Sequence, residues 1–215
     1  MSEFAKILPQ TFIDLKARKK RFACITAYDM PSAKIAEEAG IELILVGDSV
    51  GTTVLGLDAT VPVTMENMLY HTKAVRRGVT KSLLAADLPF EGSQGSPKDI
   101  GRNARRFIEE AEAEAVKVEG PVFDTIREMV RRKIPVIGHL GLLPQTAAKT
   151  GGLKVRAKTE EEGAKLLEDA KKIEQCGAFA LVLECIPYQL AKRVTEALKY
   201  PTIGIGAGPE TDGQI

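Results

Sequence analysis

Three cysteines, an odd number with no CxxC spacing among them, leave no basis for a disulfide framework or a cysteine-built zinc site. Cys24 and Cys185 fall in strand-like apolar runs, where a thiol packs as a small hydrophobe. An excess of one charge is missing too. The 30 Lys and Arg against 29 Asp and Glu leave a formal charge of +1, so the balance points to neither nucleic acid nor an anionic membrane as partner. No stretch approaches the ~20 apolar residues a membrane helix needs. The first residues include Lys6 but carry no sustained apolar run of the kind a secretion signal has. The expectation is a cytoplasmic protein. What the chain does hold is apolar material: 44% of its 215 residues are hydrophobic, enough for one sizeable α/β core without length forcing a second domain.

The apolar material is arranged in short runs that end alike. Ile44-Leu45-Val46 stops at Gly47-Asp48-Ser49, Leu83-Leu84-Ala85-Ala86 at Asp87, Val116-Lys117-Val118 at Glu119, Val136-Ile137-Gly138 at His139, and Leu181-Val182-Leu183 at Glu184. Helical signals alternate with these runs. Asp29 before Pro31 starts a helix that Gly40 ends, and Thr64 caps another that Gly78 ends. Ser96-Pro97-Lys98-Asp99 and Thr159 with Glu162 resemble capping boxes. The segment from Val122 to Arg132 is expected to be a helix with Val122, Ile126, Met129 and Val130 inward. Val50 to Val63, and Gly141 to Ala157 with its Gly151-Gly152 pair, are longer than ordinary connections and are expected to be functional loops. Regular alternation of strand and helix implies parallel pairing through right-handed crossovers. A doubly wound sheet gathers its ligand groups at one switch point, whereas a (β/α)8 barrel draws them from many strand ends, and the polar endings on nearly every strand favour the barrel.

Asp48, Asp87 and Glu119 would then meet on adjacent strand ends and repel one another unless a cation neutralised them. An all-oxygen donor set points to Mg²⁺ or Mn²⁺. Any one of these carboxylates alone is more often a helix cap or a surface group; agreement among three sequence-adjacent strands reverses that preference. Lys117 shares the strand face of Glu119 by period-2 alternation, and an inward lysine requires an anion. His139 is either a satisfied core histidine or a site residue, Glu184 is the remaining rim carboxylate, and mid-helix His71 is expected at the surface. Gly204-Ile205-Gly206-Ala207-Gly208, with no helix or GK[ST] after it, is a weak phosphate signal.

Thr26-Ala27-Tyr28-Asp29, Val46-Gly47-Asp48-Ser49, Pro62-Val63-Thr64, Ala86-Asp87-Leu88-Pro89-Phe90, Lys117-Val118-Glu119-Gly120, Gly138-His139-Leu140-Gly141-Leu142, Leu183-Glu184-Cys185 and Gly204 to Gly208 with Asp212-Gly213-Gln214, in that order along nearly the whole chain, resemble the 3-methyl-2-oxobutanoate hydroxymethyltransferase (ketopantoate hydroxymethyltransferase) family. The resemblance implies a TIM barrel of the phosphoenolpyruvate/pyruvate superfamily. It also implies transfer of a hydroxymethyl group from 5,10-methylenetetrahydrofolate to 3-methyl-2-oxobutanoate in pantothenate biosynthesis. Position by position it implies Mg²⁺ held by Asp48 and Asp87 with Glu119 directly or through water. Asp48, Ser49, Asp87 and Lys117 become 2-oxoacid contacts, and Glu184 the proton acceptor. A 2-oxoacid chelating the metal through a carboxylate and the keto oxygen would have its enolate stabilised, which agrees with the donor set. The family resemblance further suggests a homo-oligomer, with a decamer as the candidate form.

Two places depart from the family pattern: Glu91-Gly92-Ser93-Gln94 stands where a Ser-Tyr pair is common, and Pro121 where a second glycine is usual. Both bear on loop geometry and folate contacts more than on the chemistry. The competing readings are a superfamily lyase or aldolase acting on another 2-oxoacid, and a catalytically silent barrel; the donor, tetrahydrofolate or a modified pterin, stays open. Seven strands can be counted, beginning near Phe22, Glu42, Ser82, Ala115, Ile134, Phe179 and Thr202. A barrel of this type closes with eight. The expectation is therefore a single domain over residues 1–215 that lacks its C-terminal eighth strand, is incomplete at that end, and would leave two strand edges unpaired beside the site.

Overall fold

The computed structural model describes residues 6–147 and 152–215. In chain order the elements are α1 (Pro9–Ala17), β1 (Phe22–Thr26), α2 (Met30–Glu38), β2 (Leu43–Val46), α3 (Val50–Thr53), α4 (Met65–Arg76), β3 (Leu83–Asp87), a 3₁₀ turn (Glu91–Ser93), α5 (Pro97–Ala111) and β4 (Ala115–Glu119). There follow α6 (Phe123–Arg131), β5 (Val136–Gly141), α7 (Pro144–Ala147), α8 (Glu160–Gln175), β6 (Ala180–Glu184), α9 (Tyr188–Ala197), β7 (Thr202–Ile205) and β8 (Gly213–Gln214). The expected helix starts are in place. Asp29 accepts from Ser32 N at the head of α2, and Thr64, Ser96 and Thr159 form capping boxes with Asn67, Asp99 and Glu162.

The eight strands form one closed barrel in sequence order, every pairing parallel. The expected missing strand is therefore present, and the unpaired edges of an open barrel do not exist. β8 escaped the sequence reading because it is two residues long and has no apolar run. Its pairing is fixed by polar groups instead. Asp212 Oδ2 accepts from Thr202 N at 2.8 Å and from Lys16 Nζ at 2.8 Å, the Asp212 carbonyl accepts from Phe22 N at 3.3 Å, and Ile215 N donates to Gly204 O at 3.1 Å. Gly213 is required there, since a Cβ would run into the ring of Phe22, and a Cβ on Gly204 would stand 2.6 Å from Thr211 Oγ1.

Alternation along the strands sorts the two cores. Phe22, Cys24, Leu43, Leu45, Leu83, Ala85, Ala115, Ile137, Val182 and Ile203 fill the barrel interior. The opposite parity, including Ile44, Leu84, Val116, Val136 and Leu181, packs outward against Met68, Phe107, Ile126 and Ile173 of the helices. Phe12 of α1 plugs the N-terminal mouth, its ring 4.9 Å from that of Phe22 and 6.2 Å from that of Phe179.

Smaller expectations need correction. Val122 is exposed because α6 begins after it, while Ile126 and Met129 are inward as expected. His71 is half-buried, its Nδ1 2.7 Å from the Tyr28 carbonyl, so it ties α4 to the end of β1. The two long connections contain the short helices α3 and α7. Gly151 of the expected glycine pair lies outside the described residues; Gly152 has φ +85°. The departure at Glu91 has a structural use: its carboxylate accepts from Met65 N, the first residue of α4, at 2.6 Å. Among the described residues no helix is long and apolar enough to cross a membrane.

Two outcomes follow from this framework. Gly213→Ala should lower stability by about 1–3 kcal/mol, the range for overpacking a filled site, measured by urea unfolding. Glu37 of α2 gathers the backbone N–H groups of Thr80, Lys81 and Ser82 and the Thr80 hydroxyl ahead of β3. Burial opposes ionisation, but these bonds outweigh it and hold its pKa at about 2 against an ordinary 4.5. Its contribution is thus complete above pH 4.5 and lost as pH falls through 2. Glu37→Gln should cost about 1–3 kcal/mol at neutral pH, and the gap to the unchanged protein should close on acidification.

Candidate active site

Strand parity carries five polar side chains into the upper half of the barrel. β3 ends with Asp87 inward, and the register sets Asp87 beside Lys117 of β4. Lys117 and Glu119 share one face, and Glu119 pairs with His139 of β5. β6 adds Glu184, beside Gly141. Asp48 and Ser49 follow β2 after Gly47, where a Cβ would lie 2.7 Å from Ser49 Oγ and 3.6 Å from Asp87 Oδ2. The glycine thus lets the turn close over Asp87.

The side chains meet as follows. Asp48 N donates to Asp87 Oδ2 at 3.1 Å. Lys117 Nζ lies 3.0 Å from Asp87 Oδ1 and 3.3 Å from His139 Nδ1. The contact to Asp87 is a close ion pair without hydrogen-bond alignment, so the buried Oδ1 keeps an unused acceptor. His139 Nε2 is 3.2 Å from Glu184 Oε2, also outside hydrogen-bond alignment, and its Nδ1 is 3.8 Å from Glu119 Oε1. Ser49 Oγ shares a hydrogen bond of 2.7 Å with Tyr28 Oη. Asp48, Asp87, Lys117 and His139 are each at most 6% exposed.

One lysine faces three buried carboxylates. Burial pushes up the pKa of Asp87 to about 6 and that of Glu119 to about 8, and the other carboxylates add to the rise; Lys117 opposes both shifts. Asp48 is likewise raised by burial, against Lys117 and the amide of Gln145. For Lys117 burial favours the neutral amine, but Asp87, Glu119 and Asp48 together keep it an ammonium. Burial and the neighbouring ammonium press His139 down to about 4.

This ring is short of positive charge, and it suits a hard cation at Asp48 and Asp87. The backbone N–H of Asp48 donates to Asp87 Oδ2, and the buried Oδ1 of Asp87 faces Lys117 without an aligned hydrogen bond. Mg²⁺ commonly takes one or two protein carboxylates and fills its other positions with water and substrate oxygens. Among the described residues no three His, Cys, Asp or Glu side chains converge as a metal cage. Glu119 is turned toward His139 and Gln145 N, the latter 3.2 Å from Oε2.

Gln145 of α7 is the residue that sequence reasoning missed. Buried, it donates through Nε2 to Asp48 Oδ2 at 2.8 Å and to Leu88 O at 3.0 Å, spanning the mouth from 97 residues away in sequence. The only pointer was the unusual length of its loop. Gly206 and Gly208 have positive φ and shape the turn between β7 and β8, which is the structural use of the glycine-rich run. The polar ring lines a cavity of about 770 Å³ that also takes in Ser49, Thr60, Val61, Leu153, Ile205 and Ile215.

A family model described as ketopantoate hydroxymethyltransferase matches residues 6–215. The 3-methyl-2-oxobutanoate hydroxymethyltransferases of Bacillus cereus (strain AH187) and Bacillus anthracis (strain A0248) are each 52% identical over 206 residues, covering 95% of this chain and 74% of theirs. Among solved structures, phosphonopyruvate hydrolase in complex with oxalate and Mg²⁺ superposes with a TM-score of 0.71 at 14% identity, over 96% of this chain and 78% of that one. The 2,3-dimethylmalate lyase of the PEP mutase/isocitrate lyase superfamily gives 0.69 at 17% identity, over 96% and 79%. At these identities the two structures speak for the barrel alone.

Gly141 supports Glu184 from the neighbouring strand. It has φ +99°, Leu142 N donates to Glu184 O at 2.8 Å, and a Cβ at position 141 would run into that same carbonyl. Gly141→Ala should push the end of β6 away and slow turnover by about 10–100-fold, the scale of an ångström-sized misplacement. Steady-state kinetics beside a melting curve separates this from simple unfolding.

Proposed function

The chain belongs to the ketopantoate hydroxymethyltransferase family, and from that premise we propose how its own residues divide the work. It has 3-methyl-2-oxobutanoate hydroxymethyltransferase activity and serves pantothenate biosynthesis, as 52% identity over 95% of the chain supports. In the proposed reaction the branched carbon of the oxoacid loses its proton and bonds to the methylene carbon of 5,10-methylenetetrahydrofolate. Both C–N bonds that hold that methylene break, water supplies the hydroxyl, and the proton from the branched carbon and the second proton of water end on the two nitrogens of the departing tetrahydrofolate.

The observation that carries the assignment is the single lysine among buried carboxylates at the barrel mouth, with a further carboxylate, Glu184, set apart from them across His139. Asp48 and Asp87 would hold Mg²⁺, with Glu119 reaching it directly or through water. When bound, that ion would act as a Lewis acid toward the keto oxygen. Lys117 sits beside Asp87 and offsets the negative charge that the oxoacid brings. Ser49, whose Oγ shares a hydrogen bond with Tyr28 Oη, would donate to the substrate carboxylate. Glu184 takes the proton from the branched carbon. The cavity is lined by these polar groups together with apolar Leu45, Val61, Leu153, Val182 and Ile205, a mixed lining that suits a small anionic substrate beside a larger, flatter donor.

Exchange of the branched-carbon proton in D₂O isolates the first step from the folate. Glu184→Gln should still bind 3-methyl-2-oxobutanoate but exchange its proton at least about 100-fold more slowly, the low end of what a general base contributes. Asp87→Asn should keep the fold by circular dichroism and lose Mg²⁺-dependent exchange. Wild-type exchange in the first variant moves the base elsewhere, and full activity in the second removes the metal assignment.

A further inference from the structure

Lys117, His139 and Glu184 stand inward on three successive strands and form one line. Lys117 Nζ is 3.3 Å from His139 Nδ1, and His139 Nε2 is 3.2 Å from Glu184 Oε2. An ammonium can only donate, so the ring nitrogen facing it must be the acceptor. A proton on Nδ1 would set donor against donor. The neutral ring therefore carries its proton on Nε2, the nitrogen turned to the carboxylate. That nitrogen is buried and lies 3.2 Å from Glu184 Oε2, close enough for a hydrogen bond though off its ideal alignment.

We infer that His139 is a positioning residue: its Nε2–H holds one oxygen of Glu184 so that the other is presented to the substrate proton. The inference rests on Glu184 being the base. It also excludes the ring from that task, since the Nδ1 lone pair is engaged by Lys117 and Nε2 already bears a proton. A carboxylate held by one oxygen keeps a single orientation, whereas a free one samples rotations about its last bond that point neither oxygen at the reacting carbon. The same ring links Lys117, which touches Asp87, to Glu184 on the far side of the barrel. The charge that steadies the substrate and the group that deprotonates it are thus set by one side chain.

Two replacements separate the ring nitrogens. Glutamine extends its amide nitrogen to about the place of Nε2, while asparagine reaches only to the place of Nδ1. Proton exchange of 3-methyl-2-oxobutanoate in D₂O with Mg²⁺ is the readout, with KM measured alongside. His139→Asn should slow exchange by about 30–100-fold with KM within about threefold, and His139→Gln should recover to within about fivefold of the original rate, the scale expected for orienting a catalytic group. Wild-type rates in both variants, or equal loss in both, overturn the inference. Because either variant of so buried a residue can fail to fold, the unaltered protein supplies a second measurement. The chain has just two histidines, so ¹⁵N shifts of the labelled rings resolve each one. His139 is expected as the neutral Nε2–H tautomer, and an Nδ1–H tautomer or an imidazolium overturns the inference. Glu184→Gln run beside them keeps the two ideas apart: unimpaired exchange there removes the base, whereas impaired exchange there with unimpaired His139 variants removes only the positioning role.

Discussion

A lysine ammonium sealed inside the barrel among three carboxylates is the contact on which the arrangement of the site depends. An unpaired ammonium could not stay charged at that depth. Asp87, Glu119 and Asp48 keep Lys117 protonated, and Lys117 in turn opposes the rise that burial imposes on each carboxylate. The balance is deliberately incomplete in charge, with more carboxylates than cations. That shortfall is poor for stability, since buried ion pairs seldom stabilise a fold beyond what apolar packing would give. It fits the divalent cation and anionic substrate proposed for the site.

The lower half of the barrel is built to tolerate this. Phe12, Phe22, Phe179 and the aliphatic residues above them form one buried apolar cluster at the end away from the polar ring. Barrels of this architecture commonly separate stability and function between their two mouths. Closure follows a different logic from packing. β8 has too few residues to contribute a hydrophobic strip, and the chain relies on Asp212 to join Thr202 of β7 to Lys16 of α1, while Gly213 passes under the ring of Phe22. A polar clasp closes the ring where no apolar run could.

Glu184 shows how a strand end is brought into the polar ring. Parity along β6 turns it inward, Gly141 allows the neighbouring strand to approach its carbonyl, and His139 stands between it and Lys117. Cys185, the next residue, has φ +47°, a left-handed conformation unusual for a side chain with a Cβ. It begins the turn that leads away from the strand, with Cys185 N donating to Ile205 O.

The sequence by itself determined the strand and helix alternation, the capped helix starts and the shared face of Lys117 and Glu119, because period-2 and 3.6-residue patterns and capping chemistry act over a few residues. The polar endings of those strands, and their order, were enough to expect them together at one mouth of a barrel, where the structure brings them. Only the tertiary structure decided the rest. β8 carries no local signal, since its pairing comes from Asp212 reaching strands and a helix distant in sequence. Gln145 looks like any loop glutamine until α7 brings it against Asp48. His71 fits an exposed helical position by pattern, yet the end of β1 supplies it with the Tyr28 carbonyl. Val122 reads as a core residue until α6 begins one position later. For Asp212, Gln145 and His71 the deciding partner lies beyond the reach of local periodicity or capping, and its identity is set by how the closed barrel folds the chain back on itself.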